Sequence, residues 1–198
     1  MSVPLFPLKT VLFPGGRLPL RIFEQRYIAM AKECLSGGTH FGVCCITRGS
    51  EVADTTAREP LPEFAEVGTL ATLSGWDMPQ LGILHVTAIG GTRFRVLSHA
   101  AQRDGLIVAK SMPIAPEPAV ELDQTDRALA TLLELMSTRV GPENFPEDLA
   151  YDDASWVGYR LAELLPLPLS IKQNMLEIND AKIRLAVLRS FLTQHGLL

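Results

Sequence analysis

Over residues 23–35 the apolar side chains Phe23, Tyr27, Met30, Ala31, Cys34 and Leu35 return every three or four positions, the spacing that gathers them on one face of a helix. Glu24 stands at the start of that helix, where the positive end of the helix dipole favours an anion. Ahead of it, short apolar pairs alternate with Pro4, Pro7, Pro14 and Pro19. Each proline removes a ladder hydrogen bond and fixes its own backbone angle, so this segment predicts short, bent strands. Residues 40–46 form an almost unbroken apolar run of β-formers, the pattern of a strand buried on both faces. A loop follows over 49–66, interrupted by Gly49, Asp54, Pro60 and Pro62. Residues 66–74 and 81–89 then read as a hairpin, Gly90 and Gly91 as a turn, and 94–97 and 105–112 as two further strands.

Three prolines within PIAPEPAVE, residues 113–121, predict an extended linker. Beyond it the period is helical to the end. Asp123 and Thr125 are candidate caps for a helix carrying Leu129, Leu132, Leu133, Leu135 and Met136, which Gly141 and Pro142 stop. Asp152 or Asp153 can cap the next, whose apolar face holds Trp156, Val157, Tyr159, Leu161, Leu164 and Leu165, with Pro166 and Pro168 at its end. Ser170 and Gln173 have the spacing of a capping box for a short helix through Met175, Leu176 and Ile178. Asn179 can cap the last helix, with Ile183, Leu185, Val187, Leu188, Phe191 and Leu192 as core candidates. The fold class is α+β: a strongly bent sheet or open barrel with one helix over 1–115, then a lobe of about four helices over 116–198.

The 198 residues are 47% hydrophobic and 20% charged, a globular composition. A chain of this mass buries roughly 70% of its unfolded surface, enough for a core without disulfides or metals. No apolar run reaches the roughly 20 residues that span a bilayer, and the amino-terminal stretch lacks a secretory pattern, so a cytoplasmic location with no membrane partner is expected. Cys34, Cys44 and Cys45 are an odd number without CxxC spacing, and adjacent Cys44 and Cys45 point to opposite faces of a strand; all three read as reduced, packing residues. The net charge of −4 is unevenly spread, with 11 basic and 9 acidic residues up to position 115 and 7 basic and 13 acidic after it. An acidic second half argues against a general nucleic-acid binder, whose affinity rests on neutralising phosphates. His40, His85, His99 and His195 are isolated, so neither a metal nor another cofactor is expected.

Several strings fall in the order found in one family. PLFPLKTVLFPG followed by LPLRIFEQRYIAM, then FGVCCI and GTRFRV, then LAELLPLPLSIKQNMLEINDAKIRLAVL resemble the Lon protease N-terminal domain, the substrate-recognition part that precedes that enzyme's ATPase and peptidase parts. The resemblance covers nearly the whole chain and implies a PUA-like β pseudo-barrel for residues 1 to about 115, followed by a helical bundle lobe. It also implies binding of unfolded polypeptide or a partner protein, full-length Lon protease among the partners. The phosphate-binding pattern G-x-x-x-x-G-K-[ST] does not occur, and Ser170 and Lys172 would not face each other within one helical turn, so a stand-alone, non-enzymatic relative is expected. RNA or nucleotide binding is the alternative that a PUA-like barrel raises, with Arg17, Arg21, Arg26, Arg93 and Arg95 as the basic residues available to it.

Within the matching strings EQRY and GTRFRV, the residues Glu24, Arg26, Tyr27 and Arg93 form either a binding surface or a structural signature. The second reading is favoured: Glu24 accepts hydrogen bonds from an arginine or backbone amides and fastens the helix to the sheet. Trp76 and Met78, followed by Leu81, occupy a predicted turn that turn chemistry would make polar. They either cap an end of the barrel or form an exposed contact patch.

Overall fold

The computed structural model describes residues 1–51, 61–141, 145–146 and 148–197; Asp54 and Pro60 of the expected loop and the helix-stopping Pro142 lie outside them. The chain divides into two compact units, Met1–Ala115 and Pro116–Leu198.

The first unit contains β1 (Ser2–Leu8), β2 (Arg17–Ile22), α1 (Gln25–Gly37), β3 (Phe41–Arg48), β4 (Glu63–Phe64), β5 (Val67–Gln80), β6 (Ile83–Ala101) and β7 (Ile107–Pro113). Strands β1, β7, β6, β5 and β3 are hydrogen-bonded in that order, and β1 also pairs with β3 in parallel, which closes them into a five-stranded ring. β1 pairs with β7 over residues 2–5 and with β3 over residues 5–8. At Pro4 and at Pro7 one side of the strand is therefore unpaired, where a missing N–H is tolerated. β2 lies off the ring against the first half of β6, so that β2, β6 and the end of β5 form a three-stranded flap. One face of the flap packs with α1 in a cluster that includes Ile22, Tyr27, Met30, Ala31, Leu84, Val86 and Ala88. A second cluster joins Val3, Leu5, Cys44, Phe94, Val96, Ile107 and Ala109. β3 feeds both, with Phe41 and Val43 in the first and Cys44 in the second, as its unbroken apolar run predicts.

Three expectations for this unit change. The helix begins at Gln25, two residues later than its apolar spacing suggests, so Phe23 falls outside it and is exposed. The predicted turn at Gly90 and Gly91 is instead the middle of β6, which runs unbroken to Ala101. Gly90 serves a close approach: its N–H donates to the Gly16 carbonyl at 2.9 Å, its carbonyl accepts from Gly15 at 2.7 Å, and an added Cβ would lie 2.1 Å from the Phe13 carbonyl oxygen. The predicted turn holding Trp76 and Met78 is strand, because β5 continues to Gln80 and the reversal is made by Leu81 and Gly82 alone.

The second unit contains a short 3-10 turn (Gln124–Asp126) leading into α2 (Arg127–Val140), then α3 (Ala154–Leu164), α4 (Leu169–Glu177) and α5 (Ala181–Gln194). Asp123 caps the turn by accepting from the N–H groups of Thr125 and Asp126, and Asp153 caps α3 by accepting from Trp156. The Ser170–Gln173 capping box is not formed. α4 starts directly after Pro168 with no side-chain cap, and Gln173 donates to Glu177 at 2.8 Å. The cap of α5 is Asp180 rather than Asn179, accepting from Lys182 at 2.9 Å and Ile183 at 3.1 Å. Its buried face runs Ala181, Arg184, Leu185, Leu188 and Leu192, which leaves the predicted core residues Ile183 and Val187 exposed.

Candidate functional site

The end of the flap carries three exposed apolar side chains. β5 departs from regular alternation at Gly75, whose φ of 64° is a left-handed conformation glycine adopts without strain. Ser74 pairs with Thr87 and Trp76 with Val86, so one residue of β5 is extra here. Opposed residues share a face of the sheet, and the bulge thereby puts Trp76 on the face of Val86, which α1 covers further along. Trp76 is nevertheless 65% exposed, while Met78 is half-buried against the cluster beneath α1. Leu81, at the hairpin tip, is 94% exposed. Phe23 follows Ile22, which pairs with Leu84, and so stands at the same end of the flap as Leu81. Phe23 was not among the candidate contact residues of the sequence, since the helical spacing assigned it to a buried face.

Glu24, Arg26 and Tyr27 come together at the start of α1, whereas Arg93 stands in β6 opposite Thr69. Arg26 Nη2 lies 2.7 Å from Glu24 Oε2, and Arg26 Nη1 donates to the Gly105 carbonyl at 2.9 Å, which ties the helix start to the β6–β7 connection. The Arg26 guanidinium also sits 4.6 Å from the Tyr27 ring centre, and Tyr27 stacks on Phe6 with centroids 4.2 Å apart. Burial pushes the Tyr27 hydroxyl up to about 12 against the opposing pull of Arg26. Glu24 caps no backbone N–H with its side chain. Arg93 is buried in β6 opposite Thr69, and its carbonyl accepts from Ile114 at 2.8 Å. It is therefore not part of an exposed basic patch.

The most enclosed polar assembly was not anticipated. Arg184 of α5 is fully buried and grips Glu117 from the segment preceding the helices, with Nη1 donating to Oε2 at 3.0 Å and Nη2 donating to Oε1. Ser155 donates to Glu117 at 2.6 Å, Tyr159 also donates to it, and Arg184 Nε donates to the Met175 carbonyl at 3.0 Å. Burial alone pushes the Glu117 carboxyl up, but the hydrogen bonds from Arg184, Ser155 and Tyr159 and the Arg184 charge outweigh it and hold it at about 2. The signal was present in the spacing: Arg184 lies three residues after Ala181 and four before Leu188, on the helix face that the core claims.

Among the described residues no group of three or more His, Cys, Asp or Glu side chains is placed to hold a metal ion. Cys34, Cys44 and Cys45 are free and buried, and burial pushes the Cys44 thiol up to about 12. Ser170 and Lys172 share the first turns of α4, where Lys172 donates to the Glu163 carbonyl at 2.7 Å. Among the described residues no helix is long and apolar enough to cross a membrane.

Solved Lon amino-terminal domains share this fold. The structure superposes on the crystal structure of a Lon N-terminal domain protein from Xanthomonas campestris with a TM-score of 0.75 and 34% identity, covering 96% of this chain and 98% of that one. It also matches the fold of the N-terminal domain of Mycobacterium avium complex Lon protease, with a TM-score of 0.63, 20% identity and coverage of 98% and 100%. The model of the ATP-dependent protease La (LON) substrate-binding domain matches residues 2–194, and the chain belongs to that family. Lon protease of Dictyoglomus thermophilum is 26% identical over 201 residues, covering 97% of this chain and 24% of the relative, so the chain spans about a quarter of that relative's length. The matched part is the substrate-binding part of Lon rather than its ATPase or peptidase part.

Proposed function

We propose that this chain is a non-enzymatic recognition module that binds polypeptide, holding apolar segments of unfolded or partner proteins at the end of its flap. The observation that carries the reading is the exposure of Trp76 and Leu81 beside half-buried Met78, on a paired hairpin rather than a long loop. Tryptophan supplies a large contact area with few rotatable bonds, and interface anchors are enriched in it. Full-length Lon protease as a partner belongs to the same reading, as does a cytoplasmic location. Three of the five arginines that suggested the RNA alternative are otherwise engaged: Arg93 is buried, Arg26 is paired with Glu24, and Arg95 lies 3.6 Å from Glu66.

The test is fluorescence anisotropy with labelled, reduced and carboxymethylated α-lactalbumin as the unfolded polypeptide, alongside melting of the same samples. Trp76→Ala combined with Met78→Ser is expected to weaken binding by at least about 2 kcal/mol, the usual hot-spot threshold. Trp76→Ala alone should change melting little, since Trp76 is largely exposed, while Met78→Ser removes a half-buried contact and lowers it modestly. A stable double variant that binds the polypeptide as tightly as the parent would remove the flap from the reading.

A further inference from the structure

β6 changes partners along its length. Its first part is paired on both sides, by β5 and, over residues 84–89, by β2; from residue 98 onward its one partner among the described residues is β7. The change occurs at a bulge between Val96 and Ser98, just after the Val96 N–H donates to the Glu66 carbonyl at 2.8 Å. There the chain leading into β5 turns away to form β4, which pairs with β3 instead. Two backbones thus diverge, and the edge of β6 over residues 97–101 is left without a strand beside it among the described residues.

The divergence leaves an open groove of about 510 Å³, within the range of sites that hold a ligand. Leu61, Phe64 and Val96 line it together with exposed Leu97, and the Phe64 and His99 rings meet with centroids 4.9 Å apart. Exposed strand edges are ordinarily guarded by proline or charge. The outer strand of the flap carries Pro19 between Arg17 and Arg21, β5 carries Asp77 and Pro79 where it leaves the ring, and β4 begins with Glu63 after Pro62. The free edge of β6 reads Leu97, Ser98, His99, Ala100, Ala101, with none of these guards.

We infer that this groove accepts an extended, uncharged polypeptide segment that adds as a strand to the edge of β6; the inference rests on the polypeptide-binding reading but places the contact at a different site from the flap. Backbone complementarity selects an extended chain, because a strand edge presents alternating N–H and carbonyl groups that only another strand satisfies in series. Charge complementarity selects its composition. Among the described residues the rim carboxylates Glu63 and Glu66 are each faced by an arginine, Arg48 at 3.7 Å and Arg95 at 3.6 Å, and these two pairs present no net charge. The Phe64, Leu97 and His99 side chains supply the contact surface for every second residue of the added strand.

The experiment uses the full chain and a fluorescein-labelled synthetic nonapeptide of alternating valine and threonine, with a second copy of the peptide N-methylated at alternate backbone nitrogens. The unmethylated peptide is expected to bind, to protect amides within residues 97–101 from hydrogen exchange, and to bind at least tenfold more weakly to Leu97→Lys. Methylation on the edge-facing nitrogens is expected to abolish binding. Equal binding of both peptides, or protection confined to residues 76–83, would overturn the strand-addition inference and leave polypeptide binding at the flap in place. Dimerisation of the chain through residues 97–101, read by sedimentation and removed by Leu97→Lys, would overturn it in favour of a second copy as occupant. Failure of the peptide to bind while carboxymethylated α-lactalbumin binds would also overturn it, and failure of both ligands would overturn the polypeptide-binding reading with it.

Discussion

Removing the charge of Glu117 is expected to cost the helical unit about 3 kcal/mol at neutral pH, and to cost much less in acid. The carboxylate is 5% exposed and receives donors from Arg184, Ser155 and Tyr159. Its affinity for a proton falls from the ordinary 4.5 to about 2 in the folded protein. At about 1.4 kcal/mol for each tenfold change in proton affinity, that drop corresponds to about 3 kcal/mol of stability, inside the range of about 3–5 kcal/mol for breaking a buried pair. Because the folded-state value is depressed, the contribution is complete above the unfolded value and is lost as pH falls toward 2. At pH 3 less than half of it remains by the same linkage. Urea unfolding of Glu117→Gln and the parent, followed by helical circular dichroism at pH 7 and pH 3, reads both numbers. The deficit of the variant should shrink by about 2 kcal/mol between the two conditions. A deficit below about 1 kcal/mol at pH 7, or one that is the same at both pH values, would refute the assignment of Glu117 as a paired carboxylate. Arg184→Met alone should be at least as damaging, since it leaves the carboxylate enclosed without its guanidinium, and Glu117→Leu with Arg184→Met should recover part of the loss.

Other expectations follow from packing and exposure. Glu24→Ala should cost no more than about 1 kcal/mol by thermal melting, because its partner Arg26 keeps its bond to the Gly105 carbonyl and the pair is not fully enclosed. Gly90→Ala should cost about 3 kcal/mol or prevent soluble expression, since the new methyl would meet the backbone of Phe13 rather than a side chain that can move. The thiols of Cys34, Cys44 and Cys45 should not react with an aromatic disulfide reagent until the protein is unfolded, given their burial and the upward push it exerts on all three; fast labelling of the native protein would contradict the packing described.

Much of the architecture is written in periodicity. The apolar run of β3 and the three- and four-residue recurrence of α1, α2 and α3 place those elements because burial imposes its own period on each kind of backbone. What pattern cannot reveal is what glycine is for. At Gly90 glycine admits a neighbouring backbone, at Gly75 it permits a bulge, and in sequence both look like turn residues. The exposed end of the flap was found because Trp76 and Met78 violate turn chemistry, although the reason for the violation was that no turn is there. The groove beside β6 left no trace, since it arises from two strands parting company at positions distant in the chain. The Glu117–Arg184 pair joins residues 67 apart, and only an arginine at a core position of α5 hinted at it.

The closure of the ring has a consequence for the order in which the protein can be made. β1 is held between β3 and β7, with Leu5 opposite Gly42 on one side and Ile107 on the other, and Met1 bonded to Ser111. The hairpin of β5 and β6 can form from adjacent residues within microseconds, whereas the seam of β1 with β7 must wait until more than a hundred residues have left the ribosome. Synthesis at about 5–20 residues per second leaves the first strand exposed on its β7 edge for several seconds. Until its proper neighbour has been translated, the edge of β1 over residues 2–5 is therefore open to pairing with other chains.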